Sequence, residues 1–353
     1  MQFRSILPEL SDLSIDWYYL AEREVAGERR RWLGRPLSTG QFVSDLFARS
    51  GFLPGSTAAV RTLVTQMDAD IYWVVTHNEG LSVAAELCAQ GKRVHLSVHD
   101  DPVCLFRRSR KLRALAPLMS RQLPRVLRAC ASVDVISENM QEHYRREYGV
   151  NSFPVFRYLR ELPVNNGNLR SDTLRIGHIG SLYHAEPFRL FVAACVLIAA
   201  EQKRALKIRH IGNSPELEAV ARENPGIFEA CGELSEPEAI HILSSCDFVY
   251  AMYPEGNRFE CLRRTSLPMK LSTYTQAQRP IFAHTPDDST LAQTVARYRV
   301  GVVCTSMDDA GIRASLYKLA ESRISREHFE ALRVQMMGSM QIEELRKALT
   351  GNG

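Results

Sequence analysis

Along most of the chain, short apolar runs rich in β-branched residues alternate with longer stretches whose apolar positions recur every three or four residues. Ile15–Leu20, Asp70–Val75, Val94–Val98 and Val133–Ile136 are the short runs of the first half. Their length and composition predict strands of a largely buried sheet. Helical spacing follows at Glu79–Gln90 and Glu138–Tyr148. After a polar, turn-rich stretch, E-L-P-V-N-N-G-N-L-R-S-D (161–172), the alternation restarts. Strands are predicted there at Leu174–Ile179, Leu206–Ile211, Phe248–Met252, Pro280–Ala283 and Val300–Cys304. Helices are predicted at Pro187–Gln202, Glu216–Arg222, Glu236–Ser245, Met269–Gln278, Ser289–Tyr298 and Asp309–Ser322, with one or two more over 325–349.

Two β-α alternations on either side of a polar linker predict two doubly wound α/β domains, 1–160 and 173–324, joined by 161–172. The helices of 325–353 are expected to pack back on the first domain. Ligands of such sheets bind outside the carboxyl ends of the strands, so two facing sheets would leave a cleft between them. Residues 1–38 lack the Gly-rich turn that normally leads from a first strand into a first helix. The first domain is therefore expected to be abbreviated at its start.

Composition narrows this little. With 353 residues, 45% hydrophobic, 24% charged and a formal net charge of +4, the chain reads as an ordinary globular protein with room for two cores. Its eight cysteines are scattered without a C-x-x-C pair, which fits a reducing cytoplasm and gives no zinc pattern. The first residues lack the apolar core of a signal peptide. The longest apolar run, Phe191–Ala200, is far short of the roughly 20 residues of a membrane span.

Candidate chemistry concentrates in the second half. In R-T-S-L-P-M-K-L-S-T-Y-T-Q-A-Q-R-P-I-F-A-H-T-P (264–286), Ser266, Pro268 and Lys270 stand where a loop turns into a helix. The open amides and positive dipole end of a helix start attract anions, and a lysine and a serine there suit a diphosphate. Gly180-Ser181 and Gly212-Asn213 each follow a predicted strand, where a glycine admits a phosphate to the backbone or simply makes a tight turn. A dinucleotide fingerprint is excluded, because R-I-G-H-I-G-S is not G-x-G-x-x-G. The zone about 20 positions on, Ala199–Lys203, also reads as helix rather than as an acid-bearing strand end.

In the first half, His99-Asp100-Asp101 ends a predicted strand. Either aspartate could serve as a general base towards a hydroxyl, or Asp101-Pro102 could be a turn and helix cap. The remaining histidines, His95 among them, have no ligand spacing, and no metal site is indicated. Arg107, Arg108, Arg110, Lys111, Arg113, Arg121, Arg125 and Arg128 are interleaved with Leu112, Leu115, Met119, Leu123 and Val126, with no acidic residue between Asp101 and Asp134. Pro117 and Pro124 are expected to interrupt that helical pattern. A basic amphipathic face reads as attraction to anionic headgroups or a lipid-diphosphate acceptor, or as a solvated face over a core stripe. Without interleaved aromatics, nucleic acid is a poor partner.

Taken in order, R-I-G-H-I-G-S, H-I-G-N, C-G-E-L-S-E-P-E-A-I-H-I-L-S-S-C-D-F-V-Y, S-L-P-M-K-L-S-T-Y and R-P-I-F-A resemble the donor half of GT-B glycosyltransferases of the family 4 type. The resemblance spans roughly Val133 to Ser322, and S-V-H-D-D-P (97–102) extends it weakly into the first half. It implies a GT-B fold of two Rossmann-like domains and a nucleotide-diphosphate sugar donor. The acceptor would be a carbohydrate or lipid-linked hydroxyl, and the setting bacterial surface polysaccharide or glycolipid assembly. Carried over residue by residue, Gly212-Asn213 underlies the nucleotide, Gly232-Glu233-Leu234 contacts the base, Glu255 faces the sugar, and His99 approaches the reacting carbon. The family's paired glutamates, seven residues apart, are missing, and Lys270 stands about where the second would fall. Lysine cannot accept from ribose hydroxyls, so its expected partner is the diphosphate. No cofactor or metal is implied, and retention follows by family analogy. A UDP-sugar epimerase and a non-catalytic partner subunit of the same fold are the alternatives.

Overall fold

The structure is a computed structural model describing residues 5–15, 17–19, 30–32, 65, 68–76, 80–110, 112–164 and 172–351. It divides into two compact units, Met1–Phe156 with Met340–Gly353, and Arg157–Ser339.

In the first unit, β1 (Trp17–Tyr19) and β2 (Arg30–Trp32) pair in parallel as a separate ribbon. Asp16 and Leu20 of the predicted first strand, and most of 1–38, lie outside the described residues. The main sheet is parallel, in the order β3 (Tyr72–Val75), β4 (Val94–Val98), β5 (Ser132–Val135), β6 (Phe153–Pro154). Connecting helices are α1 (Gly80–Ala89), α2 (Pro102–Arg108), α3 (Ala116–Ala129) and α4 (Glu138–Tyr148). Every residue of β4 is buried, the polar His95 and Ser97 included.

α3 differs from expectation, because neither proline breaks it. Pro117 occupies the first turn, where no N–H is needed, and Pro124 sits inside the helix. Leu118, Met119, Leu123, Val126 and Leu127 are all buried, and this continuous core stripe holds the helix together across the missing hydrogen bond. Its basic residues Arg121, Arg125 and Arg128 point outward.

The second unit carries a six-stranded parallel sheet in the order β12-β11-β10-β7-β8-β9. Its strands are β7 (Thr173–Ile179), β8 (Ala205–Ile211), β9 (Phe228–Gly232), β10 (Phe248–Met252), β11 (Ile281–His284) and β12 (Gly301–Cys304). Between them run α5 (Ala185–Glu201), α6 (Pro215–Glu223), α7 (Glu236–Ser244), α8 (Asn257–Thr265), α9 (Lys270–Ala277), α10 (Thr290–Tyr298) and α11 (Asp309–Glu321). The order reverses between β7 and β10, the point where open α/β sheets bind ligands. Phe188 and Phe191 of α5 pack on Tyr250 and Phe282, with the Phe191 and Tyr250 ring centroids 4.4 Å apart.

Two helices close the chain. α12 (Arg326–Met337) belongs to the second unit, where Arg333 donates to the carbonyls of Leu159 and Arg160 at 2.8 Å. From Met340 the chain rejoins the first unit through α13 (Ser339–Thr350). There the Gln341 side chain accepts from the Phe156 amide at 2.6 Å, and Arg346 pairs with Asp12. Among the described residues, no helix is long and apolar enough to cross a membrane.

Candidate functional site

The second unit assembles most of the sequence-predicted residues along one sheet edge. β7 and β10 pair only at Phe248 with Ile176 and at Val249 with Gly177. Beyond that point the Tyr274 hydroxyl stands between them, donating to the Tyr250 carbonyl at 2.8 Å and accepting from the Ile179 amide at 3.3 Å. A crevice thus opens at the carboxyl ends of the two strands, with α9 beside it.

Gly180, Gly212 and Gly232 end β7, β8 and β9, with φ of +77°, +96° and +67°. These left-handed turns strongly favour glycine over residues bearing a Cβ. The Gly180 amide donates to the Ile211 carbonyl and the Gly212 amide to the Gly232 carbonyl, at 2.9 and 2.7 Å. Both are therefore engaged within the sheet edge, and the exposed Ser181 is what the first turn presents to a ligand. Asn213 donates to Glu233 at 3.3 Å, joining the second and third loops, and Leu234 follows half-buried.

Lys270 begins α9 and is half-buried. Its Nζ donates to the Ser181 carbonyl at 3.1 Å and lies 3.0 Å from His178 Nε2. Among the described residues it forms no ion pair. Burial pushes the ammonium down to about 7. A cation at the positive end of a helix, without a carboxylate, is electrostatically incomplete and calls for an anion. Ser266 is placed differently from its neighbour: it is buried at the end of α8, its carbonyl accepting from the Thr290 hydroxyl.

On the other side of the crevice, Glu255 is exposed in the loop after β10. Arg263 shapes this region, bonding the Gly256 carbonyl at 3.1 Å and clamping Asp288 through two nitrogens at 2.7 and 3.0 Å. Glu255 borders a small, open hollow together with Tyr253, His284, Thr285, Thr305 and Met307.

In the first unit, His99 and Asp100 follow the carboxyl end of β4 and are half-buried. Asp101 is buried, and its two carboxylate oxygens accept from the Cys104 amide and the Tyr144 hydroxyl, both at 2.9 Å. It caps α2 while burial raises its pKa. Of the two readings open for it, the geometry is that of a cap. His95 is fully buried between Ser132 and Asp134, at 2.8 Å from each, in a polar network inside the sheet.

Sequence reasoning missed His178 and His210, fully buried and 4% exposed, which stack behind Lys270 with Nδ1 atoms 3.1 Å apart. Their signal was the triplet His-Ile-Gly, which occurs in both strands and brings the two histidines into register. Burial holds His178 well below the usual histidine range and lowers His210 to about 4, the Lys270 charge adding to both effects.

No protein-family model and no curated protein matches the sequence. Solved structures do, and they define the class as the GT-B fold. A mutant of S. aureus TarM, solved with fondaparinux, alpha-GlcNAc-glycerol and UDP, superimposes with a TM-score of 0.55 at 10% identity, over 82% of this chain. The pneumococcal O-GlcNAc transferase GtfA, solved with UDP and GlcNAc, gives 0.56 at 11% identity over 84%. This chain spans 58% and 60% of the lengths of those two proteins. UDP-GlcNAc 2-epimerase from Methanocaldococcus jannaschii gives 0.57 at 10% identity, covering 99% of this chain and 96% of its own.

Proposed function

We propose that the chain is a glycosyltransferase that takes its sugar from a nucleotide-diphosphate donor and passes it to a hydroxyl acceptor. The observation that carries this reading is Lys270, a half-buried cation without an ion pair among the described residues, set at the strand-order reversal beside Ser181. A diphosphate there would complete the charge of Lys270 and the α9 start. As the glycosidic bond breaks, the same cation would meet the charge growing on the leaving diphosphate, so the reaction needs no metal. Gly212, Asn213, Gly232, Glu233 and Leu234 are assigned to the nucleoside side and Glu255 to the sugar. His99 and Asp100 are assigned to sugar or acceptor contacts. The likeness to UDP-bound transferases supports the donor class and, by analogy, retention and a role in surface glycan assembly. The basic face of α2 and α3 would draw the protein to anionic headgroups from the cytoplasmic side.

A thermal-shift panel of UDP, GDP, ADP, dTDP and CMP sugars tests the reading. One class of sugar nucleotide should raise the melting temperature, because a ligand that binds only the native state stabilises it. If none does, the donor assignment falls and the non-catalytic reading takes its place. The near-complete mutual coverage with the epimerase favours a second reading, UDP-sugar epimerisation at the same site. Conversion of UDP-GlcNAc to an isomer without added acceptor would establish that reading and displace transfer.

A further inference from the structure

Behind Lys270, the buried histidines form with it a single hydrogen-bonded chain. Nζ lies 3.0 Å from His178 Nε2, and His178 Nδ1 lies 3.1 Å from His210 Nδ1. The chain stops at His210 Nε2, which is buried and meets no partner among the described residues.

A carboxylate partner could only accept from Lys270 and would hold it charged. An imidazole can do either. With Lys270 as an ammonium, Nζ donates to His178 Nε2. His178 then carries its hydrogen on Nδ1 and donates to His210 Nδ1, leaving His210 with a buried N–H at Nε2 that nothing receives. A neutral amine can also accept, so both bonds can then reverse, and the chain ends in a bare nitrogen lone pair. Lys270 is thus hydrogen-bonded in both states, while the charged state carries an unsatisfied buried donor.

We propose that His178 and His210 are positioning residues that let Lys270 wait as a neutral amine and take up a proton from solvent when a sugar diphosphate arrives. This rests on the donor reading above. In this step the proton on His178 Nε2 passes to the amine lone pair, the proton on His210 Nδ1 passes to His178 Nδ1, and the proton gained from solvent ends on His210 Nε2, so no bond to phosphorus forms and neither ring moves. The titratable groups around Lys270 fit this. His178 and His210 face it from β7 and β8, Tyr250 lies beyond His178 on β10, and Tyr274 is on α9 itself. Tyr250 is bonded to His284 and Tyr274 to backbone, and burial raises both phenols. No carboxylate among the described residues reaches ion-pair distance of Nζ. Since the imidazoles are held neutral well into the acid range, the proton gained near neutrality belongs to the lysine.

Two measurements separate this proposal from the reading beneath it. Competitive acetylation of the ligand-free protein, followed by mass spectrometry across pH, reports the free-base fraction of each lysine. Lys270 should label with a midpoint well below those of exposed Lys203 and Lys318. In His210→Asn, whose amide oxygen can accept from His178, the midpoint should rise by about one pH unit, tenfold in proton affinity. A merely structural role for His210 would lower stability and leave that midpoint in place. If Lys270 labels like Lys203, the relay is wrong whatever the protein binds. Calorimetry of UDP-GlcNAc binding at about pH 8, in buffers of different ionisation enthalpy, should show close to one proton taken up by wild type. Lys270→Arg, charged throughout, should show almost none. Binding without proton uptake in wild type overturns the coupling and leaves the donor reading intact. A low Lys270 midpoint with no binding of any sugar nucleotide overturns the donor reading and the coupling with it.

Discussion

At the residue scale the decisive feature is a lysine without a counter-charge among the described residues. Lys270 is held by a carbonyl and an imidazole, neither of which neutralises it. Truncation to Ala should therefore weaken binding of the best sugar nucleotide by roughly 10- to 100-fold, the worth of a charge-assisted hydrogen bond, read by calorimetry. Free of ligand, the same position costs stability. Because the native amine titrates near 7 against 10.5 in an ordinary lysine, the unfolded chain binds the extra proton between those values. Stability at this position therefore rises with pH across that window. Lys270→Met should raise the urea midpoint near neutrality, with the gain fading towards pH 10; an equal gain at both pH values would contradict the assignment. Gly212 makes a different demand. At φ +96° an alanine is strained in spite of ordinary space around its Cβ. Gly212→Ala should cost about 1–2 kcal/mol in chemical denaturation.

At the element scale, the paired His-Ile-Gly ends of β7 and β8 work as one unit, since their register puts both histidines and both turns at the same height. Their burial has a pH signature. His210 binds its proton only near pH 4 and burial holds His178 well below the usual histidine range, whereas unfolded histidines titrate near 6.5. Stability is thus fully present above about 6.5 and is lost as pH falls towards 4, by about 3 kcal/mol for His210 alone. His210→Phe should shrink the drop in urea midpoint between pH 7 and 4.5; an unchanged drop would contradict a neutral buried imidazole. The helices α2 and α3 show how far pattern reading goes. The basic and apolar residues fell on opposite sides as spacing required, but the two prolines were read as breaks. Sequence rules weigh a lost hydrogen bond, while the stripe of buried side chains that outweighs it exists only in the fold. For the outward face, the triple variant Arg107→Glu, Arg121→Glu, Arg125→Glu should lower co-sedimentation with phosphatidylserine vesicles at low salt; unaltered binding would remove the face from the proposal.

At the scale of the whole molecule, each unit stands on its own parallel sheet, and the second is knit by an aromatic core. Phe191→Ala, removing a ring packed on Tyr250 and Phe282, should cost about 3–5 kcal/mol. The sequence by itself determined the alternation of strands and helices, the doubly wound class, and the positions of the turns that end β7 and β8. Those features are local: apolar period, run length and glycine conformation are properties of neighbouring residues. β9 escaped notice because F-E-A-C-G has neither a clean apolar run nor strict alternation, and it belongs to the sheet only through its pairing with β8. Only the tertiary structure decided that Asp101 is a cap engaged by Tyr144, that Ser266 is buried behind the helix mouth, and that two histidines thirty-two positions apart stand behind Lys270. Such facts depend on which strands become neighbours, and strand order is set by the packing of the whole sheet rather than by any stretch of the chain.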